Sequence, residues 1–226
     1  MKSSCLYIGL LGLVLLVKPS FAQHPIILIN GRIGAVRQAS TIPAAKPVLH
    51  AAVYGYGQFE PSILISAEKV ASKIFKESHI EVDWLNCASP QVCSQSFEGI
   101  QFRIAIHSQI SDIVKEPEDA KLLNESDSLG FAIPCTLTDI VCLAYVFYSP
   151  INRVAATEGV NVAVILGHVI AHEVGHHLLG SIHHARTGIM QGRLPIADLN
   201  RFLYFTSTES KDLVANLSKR NRLHSN

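Results

Sequence analysis

The 226-residue sequence has almost no net charge, few cysteines and too short an apolar run in its first residues to span a membrane, and each shortage removes a class of protein. Residues 6–17 form the apolar run nearest the start, and these twelve residues fall short of the roughly 20 that a bilayer span needs. The formal net charge is +1, which attracts neither nucleic acid nor an anionic membrane surface. Internal repeats and low-complexity tracts are absent. Only five cysteines are present, none of them between Gln23 and Asn86, so a pro-segment that blocks a metal with a thiolate is not supported. Nor is there a C-x2-C pair of the kind that builds structural zinc knuckles.

What is there begins with an address. Lys2, the apolar run of residues 6–17, and Ser20-Phe21-Ala22 with small residues at the −3 and −1 positions predict a signal peptide over 1–22. Its removal leaves 204 residues, enough for one domain with a sizeable core, and takes away Lys2 and Lys18, so that the net charge becomes −1. Cys5 leaves with the signal. Cys87, Cys93, Cys135 and Cys142 then form an even set in an oxidising compartment, which predicts two disulfides; proximity favours Cys87 with Cys93 and Cys135 with Cys142.

Residues 23–47 mix a short apolar run with Gly31, Gly34, Pro43 and Pro47, which reads as an irregular arm or a removable pro-segment. The domain proper is expected over 48–226. Partial alternation predicts strands at 48–57, 80–86, 100–107, 129–133 and 143–148, with Phe102, Ile104 and Ile106 facing inward. A helix opens at Pro61-Ser62 and runs to about Ser78, with Ile65, Val70, Ile74 and Phe75 as its apolar stripe. The acidic stretch 108–127 reads as a long loop or poorly formed helix. A long apolar helix is expected over 160–179, ended at Gly180, with shorter helices around 196–204 and 207–217.

Six of the eleven histidines fall between His168 and His184, and His172 and His176 bracket Glu173 in H-E-x-x-H spacing. Positions four apart on a helix differ by only about 40° in direction, so both imidazoles leave from one face and can share a tetrahedral metal. Glu173, one residue beyond the first ligand, is placed to take a proton from water without being a ligand. A chance match of this pattern arises in such a chain roughly two or three times in a hundred. Here it lies on an independently expected helix, followed by a glycine and more histidines. The helix is apolar on every face beforehand, yet four histidines and a glutamate would be costly in lipid.

The stretch HEVGHHLLGSIHHARTGIM resembles the metzincin metalloproteases, whose pattern H-E-x-x-H-x-x-G-x-x-H ends the helix at glycine and takes a third histidine from the loop beyond. Gly188-Ile189-Met190 looks like the methionine turn of that family. Gly180 follows His176 by four residues rather than three, which leaves His183 and His184 as alternatives for the third ligand. His177 is rotated about 140° from His172 and cannot share its metal; it reads as a surface or packing residue. His168, one turn before His172, reads as a core histidine. VYGYGQ, IEVDWLNC, LGFAIP and YVFYSP are similar to segments of a group of secreted bacterial zincin-like proteins. That likeness, with its longer H-E-x-G-H-x-L-L-G-x-x-x-H spacing, implies His184.

The resemblance implies an α+β zincin-like domain, a twisted mixed sheet packed on two main helices including the H-E-x-x-H helix. It also implies Zn2+ on His172, His176 and His184, Glu173 as base, and hydrolysis of a protein or peptide by a monomer that engages neither nucleic acid nor, after signal cleavage, membrane. Tyr145, Tyr148 and Tyr204 are candidates to steady a developing oxyanion, and strand 143–148 a candidate edge for substrate. The rivals are a non-catalytic secreted metal-binding or interaction protein, and a zinc amidase acting on cell-wall peptides. The exported chain is expected to begin at Gln23 and to hold no free thiol. Intact-mass measurement with alkylation checks both; a retained residue 1, or two or more cysteines alkylated without reduction, contradicts the reading.

Overall fold

Alternating side chains in the strands and a 3.6-residue period in the helices sort the described residues into one sheet and four helices. The computed structural model describes residues 46–56, 59–87, 99, 101–113, 128–196, 199 and 201–224. The expected signal peptide, nearly all of the arm, Cys93 and most of the acidic stretch lie outside them. The described residues belong to one unit, Ala44–Asn226.

The elements are β1 (Val48–Gly55), α1 (Pro61–Glu77), β2 (Glu81–Cys87), β3 (Phe102–His107), β4 (Gly130–Ala132), β5 (Cys142–Phe147), α2 (Tyr148–Glu158), α3 (Val162–Leu179) and α4 (Ser207–Leu223), with a 3-10 turn at Ile110–Asp112. The sheet order is β2-β1-β3-β5-β4. β1 pairs parallel with β2 and β3, β3 pairs parallel with β5, and β4 alone is antiparallel, with Phe131 opposite Tyr145. The class is α+β with a mixed sheet.

β1, β3 and β5 are interior strands with apolar side chains on the face against the helices, while the other face mixes Ala52, Tyr54 and Ala105 with the half-buried His50, Arg103 and His107. Leu49, Ala51, Val53, Phe102, Ile104, Ile106 and Val146 face the helices, while Ala52, Tyr54 and Cys87 form a small second cluster. The inward direction of Phe102, Ile104 and Ile106 is as the alternation predicts.

α1 corrects the sequence reading in detail. Its buried stripe is Leu64, Ala67, Ala71, Ile74 and Phe75, whereas Ile65 is 47% exposed. The alanines are small because the helix lies close to α3: a Cβ on Gly167 would come within 2.5 Å of the Ala67 carbonyl oxygen and 2.6 Å of Val70 Cβ. α3 is buried on nearly every side, with 83% of the Val162–Leu179 window inside the protein. By length and composition it would cross a membrane, but here it is the core helix on which α1, α2 and α4 pack. Asn161 caps its start by accepting from the Ala163 N–H, and Gly180 ends it in the left-handed region at φ 62°.

α2 has no counterpart in the sequence reading, which extended the preceding strand through Tyr148. Its boundaries are nevertheless signalled, by Pro150 in the first turn and by Gly159 at φ 65° past the end. The short helix expected around 196–204 does not form over the described residues 201–206, which run irregularly along α3. α4 starts at a capping box between Thr206 and Glu209 and runs six residues beyond the expected end. Cys135 and Cys142 are joined, as proximity predicts, and close the turn between β4 and β5. Cys87 is also disulfide-bonded; its expected pairing with Cys93 lies outside the described residues.

The α1–α3 contact gives a direct test. Overpacking typically costs about 1–3 kcal/mol, against the ~1 kcal/mol by which alanine outdoes glycine inside a helix. Because the clash is with a backbone oxygen that cannot move aside cheaply, the cost lies at the upper end of that range, and Gly167→Ala is expected to lower stability by up to about 2 kcal/mol. Urea denaturation measures it, and an unchanged or raised midpoint contradicts the packing described.

Candidate active site

His172 and His176 leave α3 one turn apart, and the chain folds back around them so that main-chain oxygens fix their rings. His172 Nδ1 donates to the Ile189 carbonyl at 2.8 Å, and His176 Nδ1 donates to the Ser181 carbonyl at 2.7 Å. A ring nitrogen facing a carbonyl must carry the proton, which leaves Nε2 of each ring with its lone pair exposed. Those two Nε2 atoms face each other at 3.0 Å. Burial first, and then the neighbouring imidazoles, push His172 down to about 4, and burial likewise lowers His176, so neither ring protonates at neutral pH to bridge the gap. Two lone pairs at that distance repel unless a cation lies between them.

His184 completes the group. Its ring centroid lies 5.3 Å from that of His172 and 5.0 Å from that of His176, and ligand atoms of all three residues lie within 4.8 Å of one another. Two nitrogens each bound at about 2.0–2.1 Å to a tetrahedral zinc sit roughly 3.3 Å apart, close to the spacing found. The residues present therefore fit a divalent metal of imidazole preference. His183 is not part of this group and does not line the cleft; it is exposed, as His184 is, and its backbone N–H bonds to Ser181 Oγ.

The extra residue between His176 and Gly180 is absorbed at the helix end. Gly180 and Ser181 donate their N–H groups to the His177 and His176 carbonyls, which turns the chain and aims the Ser181 carbonyl at His176. Further on, Ala185 N–H donates to the Met190 carbonyl and closes a tight turn that carries Ile189 under His172. Met190 is 1% exposed, and a Cβ on Gly175 would stand 2.7 Å from its sulfur, so the glycine gives the room for this approach to the helix. His168 holds the next segment: Nδ1 donates to the Val164 carbonyl at 2.7 Å, Nε2 accepts from Leu203 N–H at 3.2 Å, and Tyr204 returns a carbonyl to Ile189 N–H at 3.0 Å. Both nitrogens of His168 are thereby satisfied.

Glu173 is 5% exposed, and burial raises it to about 8. Its carboxylate lies beside β4, where a Cβ on Gly130 would fall 3.0 Å from Oε1. Glu173, the three histidines, residues 128–132, the α2 residues Pro150, Arg153 and Val154, and residues 191–196 line one cavity of about 1080 Å³.

No family model matches the chain, and no curated protein matches it. Among solved structures it is similar to an archaemetzincin from Methanopyrus kandleri, at 11% identity and a TM-score of 0.44 over 78% of this chain and 99% of that one. It is also similar to metalloproteinase-II from Bacteroides fragilis, at 11% identity and a TM-score of 0.44, covering 76% of this chain and 53% of that one. So distant a likeness says nothing of chemistry; the side chains must.

Several sequence expectations change on the structure. β5 is interior, between β3 and β4, so the edge beside the cleft is β4. None of Tyr145, Tyr148 and Tyr204 lines the cavity: Tyr145 packs between His107 and Phe131, Tyr148 on Phe59, and Tyr204 on Phe202. Other polar residues that do line it, Arg153, Glu158, Gln191 and Arg193 among them, carry no sequence pattern that marks them. His177 is buried against Phe102, away from the triad, as its rotation on the helix predicts. The three-histidine arrangement predicts that His184→Ala lowers divalent-metal affinity far more than His183→Ala, with the first loss exceeding the roughly 10–100-fold typical of groups behind a ligand. Metal titration of the two variants measures this, and the reverse order would show that His183 supplies the third nitrogen.

Proposed function

We propose that the chain is an exported zinc-dependent peptidase of zincin-like fold, with His172, His176 and His184 as metal ligands and Glu173 as the catalytic base. The observation that carries this reading is the pair of Nε2 lone pairs held 3.0 Å apart by main-chain acceptors, with a third imidazole beside them and a buried carboxyl on the same cleft wall. His172, His176 and His184 would hold a divalent metal through three neutral nitrogens, the donor number of catalytic rather than structural sites. The turn at Met190 under the histidines, and the glycine-ended helix, are in keeping with the metzincin resemblance.

Zinc held there supplies Lewis-acid activation of water and of the scissile carbonyl. The ring orientations, set by Ile189 and Ser181, keep the ligand atoms converged without reorganisation during reaction. Glu173, buried and turned to the cleft, accepts a proton from the attacking water and passes it to the leaving amine. An extended peptide lies along β4, the last strand of the sheet, and pairs with its backbone. The absence of a side chain at Gly130 keeps that strand close over Glu173. Export follows from the first 22 residues, and the chain acts as a monomer on a protein or peptide substrate.

Glu173→Gln separates base from ligand. The variant is expected to keep fold and zinc while hydrolysis falls about 10²–10⁴-fold. Peptide-library digestion with metal analysis measures both, and a zinc-loaded variant as fast as the native protein would refute the mechanism. A zinc-loaded native chain that cleaves no peptide would favour a non-catalytic protein, and one that cleaves only cell-wall peptides an amidase. The metal-free chain gives a pH test. Glu173 is raised from its ordinary 4.5 to about 8 by burial, so the folded state prefers it protonated. Its contribution is fully present below 4.5 and is lost as pH rises through 8. Metal-free Glu173→Gln should therefore match the native chain near pH 4.5 and gain over it steadily toward pH 8.

A further inference from the structure

A second group of metal-type donors lies on the other side of His176. His177 is 5% exposed, one of its ring nitrogens is bonded to the Leu143 backbone, and the other, Nε2, is buried with no hydrogen-bond partner. A buried polar atom left so is unfavourable, because it gives up water and gains nothing in return. A His177 ring nitrogen and the sulfurs of Cys135 and Cys142 all lie within 4.8 Å of one another. A separate cavity of about 260 Å³ opens on Cys135, His177, Ser181 and Ile182. Arg220, 1% exposed, donates to the carbonyls of Thr136 and Asp139 and places its guanidinium 3.9 Å from Cys135 Sγ, where a cation favours a thiolate.

We propose that Cys135, Cys142 and His177 form a second metal site in the reduced chain, taking a thiophilic divalent cation through two thiolates and Nε2. The 260 Å³ cavity provides the open fourth position. The chemistry balances simply. A dithiol or phosphine reductant takes the disulfide to two thiols and is itself oxidised; the cation then binds as both thiols release their protons to solvent. Two thiolates at about 2.3 Å from a tetrahedral ion stand roughly 3.8 Å apart, which side-chain rotation allows at the observed Cα separation of 5.6 Å. The orphaned nitrogen is what distinguishes this cluster from an ordinary crosslink. A disulfide offers it nothing, and a cation satisfies it. The turn between β4 and β5 is thus tied in either redox state, by a covalent bond when oxidised and through a metal to α3 when reduced. Since β4 lines the main cleft, both states hold that wall.

Cobalt(II) is the probe, because its bonds to sulfur absorb in the near ultraviolet. The full mature chain, stripped of metal, is titrated before and after reduction with a phosphine. Expected is one cobalt without sulfur charge transfer in the oxidised chain, and a further cobalt with it in the reduced chain. His177→Gln should weaken that second event at least about tenfold while leaving the first intact. The double variant Cys135→Ser/Cys142→Ser should abolish the charge-transfer band. The proposal is overturned by a reduced native chain that shows no such band, by a double variant that retains it through other thiols, or by His177→Gln binding the second cobalt undiminished. Should reduction alone unfold the chain, recovery of its circular dichroism on adding cobalt, in the native chain but not in His177→Gln, supports the site, and no recovery refutes it. Because the first cobalt is read separately, failure here leaves the peptidase reading standing, and loss of the first cobalt alone bears only on that reading.

Discussion

Two main-chain carbonyls, those of Ile189 and Ser181, set the chemistry of this protein. Each takes the Nδ1 proton of a histidine on α3, and so turns two Nε2 lone pairs toward one point, 3.0 Å apart. Side chains alone do not achieve this, since an isolated imidazole exchanges its proton between nitrogens freely. The arrangement needs the backbone to arrive at the right height on each side of the helix, and much of the architecture after Leu179 serves that purpose. A left-handed Gly180 reverses the chain at once and delivers Ser181. A closed turn from Ala185 to Gln191 delivers Ile189.

The same economy of space recurs around the site. Gly175 admits the Met190 sulfur, a Cβ on Gly192 would stand 3.1 Å from the His184 ring, and Gly130 lets β4 pass over Glu173. Each of these positions is a close approach between backbone and a functional side chain, where one methyl group would displace what it meets. His168 plays the complementary part by fastening the 202–204 segment to α3, and that segment in turn bonds Ile189. His168, one turn before His172, thus bears on that ring through three hydrogen bonds without itself joining the histidine cluster.

The burial that makes this precision possible also shapes the electrostatics. Removing α3 from water lowers its histidines and raises Glu173, so that in the metal-free molecule the site is close to neutral. Neutral imidazoles are the form that binds metal, and a divalent cation beside Glu173 favours its carboxylate. The desolvation that is unfavourable to isolated charges therefore prepares the site for a cation.

The sequence by itself determined what depends on near neighbours along the chain. The H-E-x-x-H spacing placed His172, Glu173 and His176 on one helix, Gly180 ended it, alternation put Phe102, Ile104 and Ile106 inward, and Cys135 lay near enough to pair with Cys142. Tertiary structure decided what depends on distant segments meeting. Spacing alone left His183 and His184 open, because a loop has no period; only the return of residues 185–192 puts the His184 ring, and not that of His183, beside the pair. Strand order likewise depends on distant segments: β5, a candidate edge by its sequence, lies inside the sheet, and β4, paired antiparallel with it, holds the edge. The start of α2 is hidden in the sequence because its first turn continues the strand before it, and on α1 the stripe holds at Val70, Ile74 and Phe75 but not at Ile65, because small alanines, which carry little hydrophobic signal, line the contact with α3. Local periodicity reports which way a side chain leaves its own element; which partner it then meets is fixed by packing.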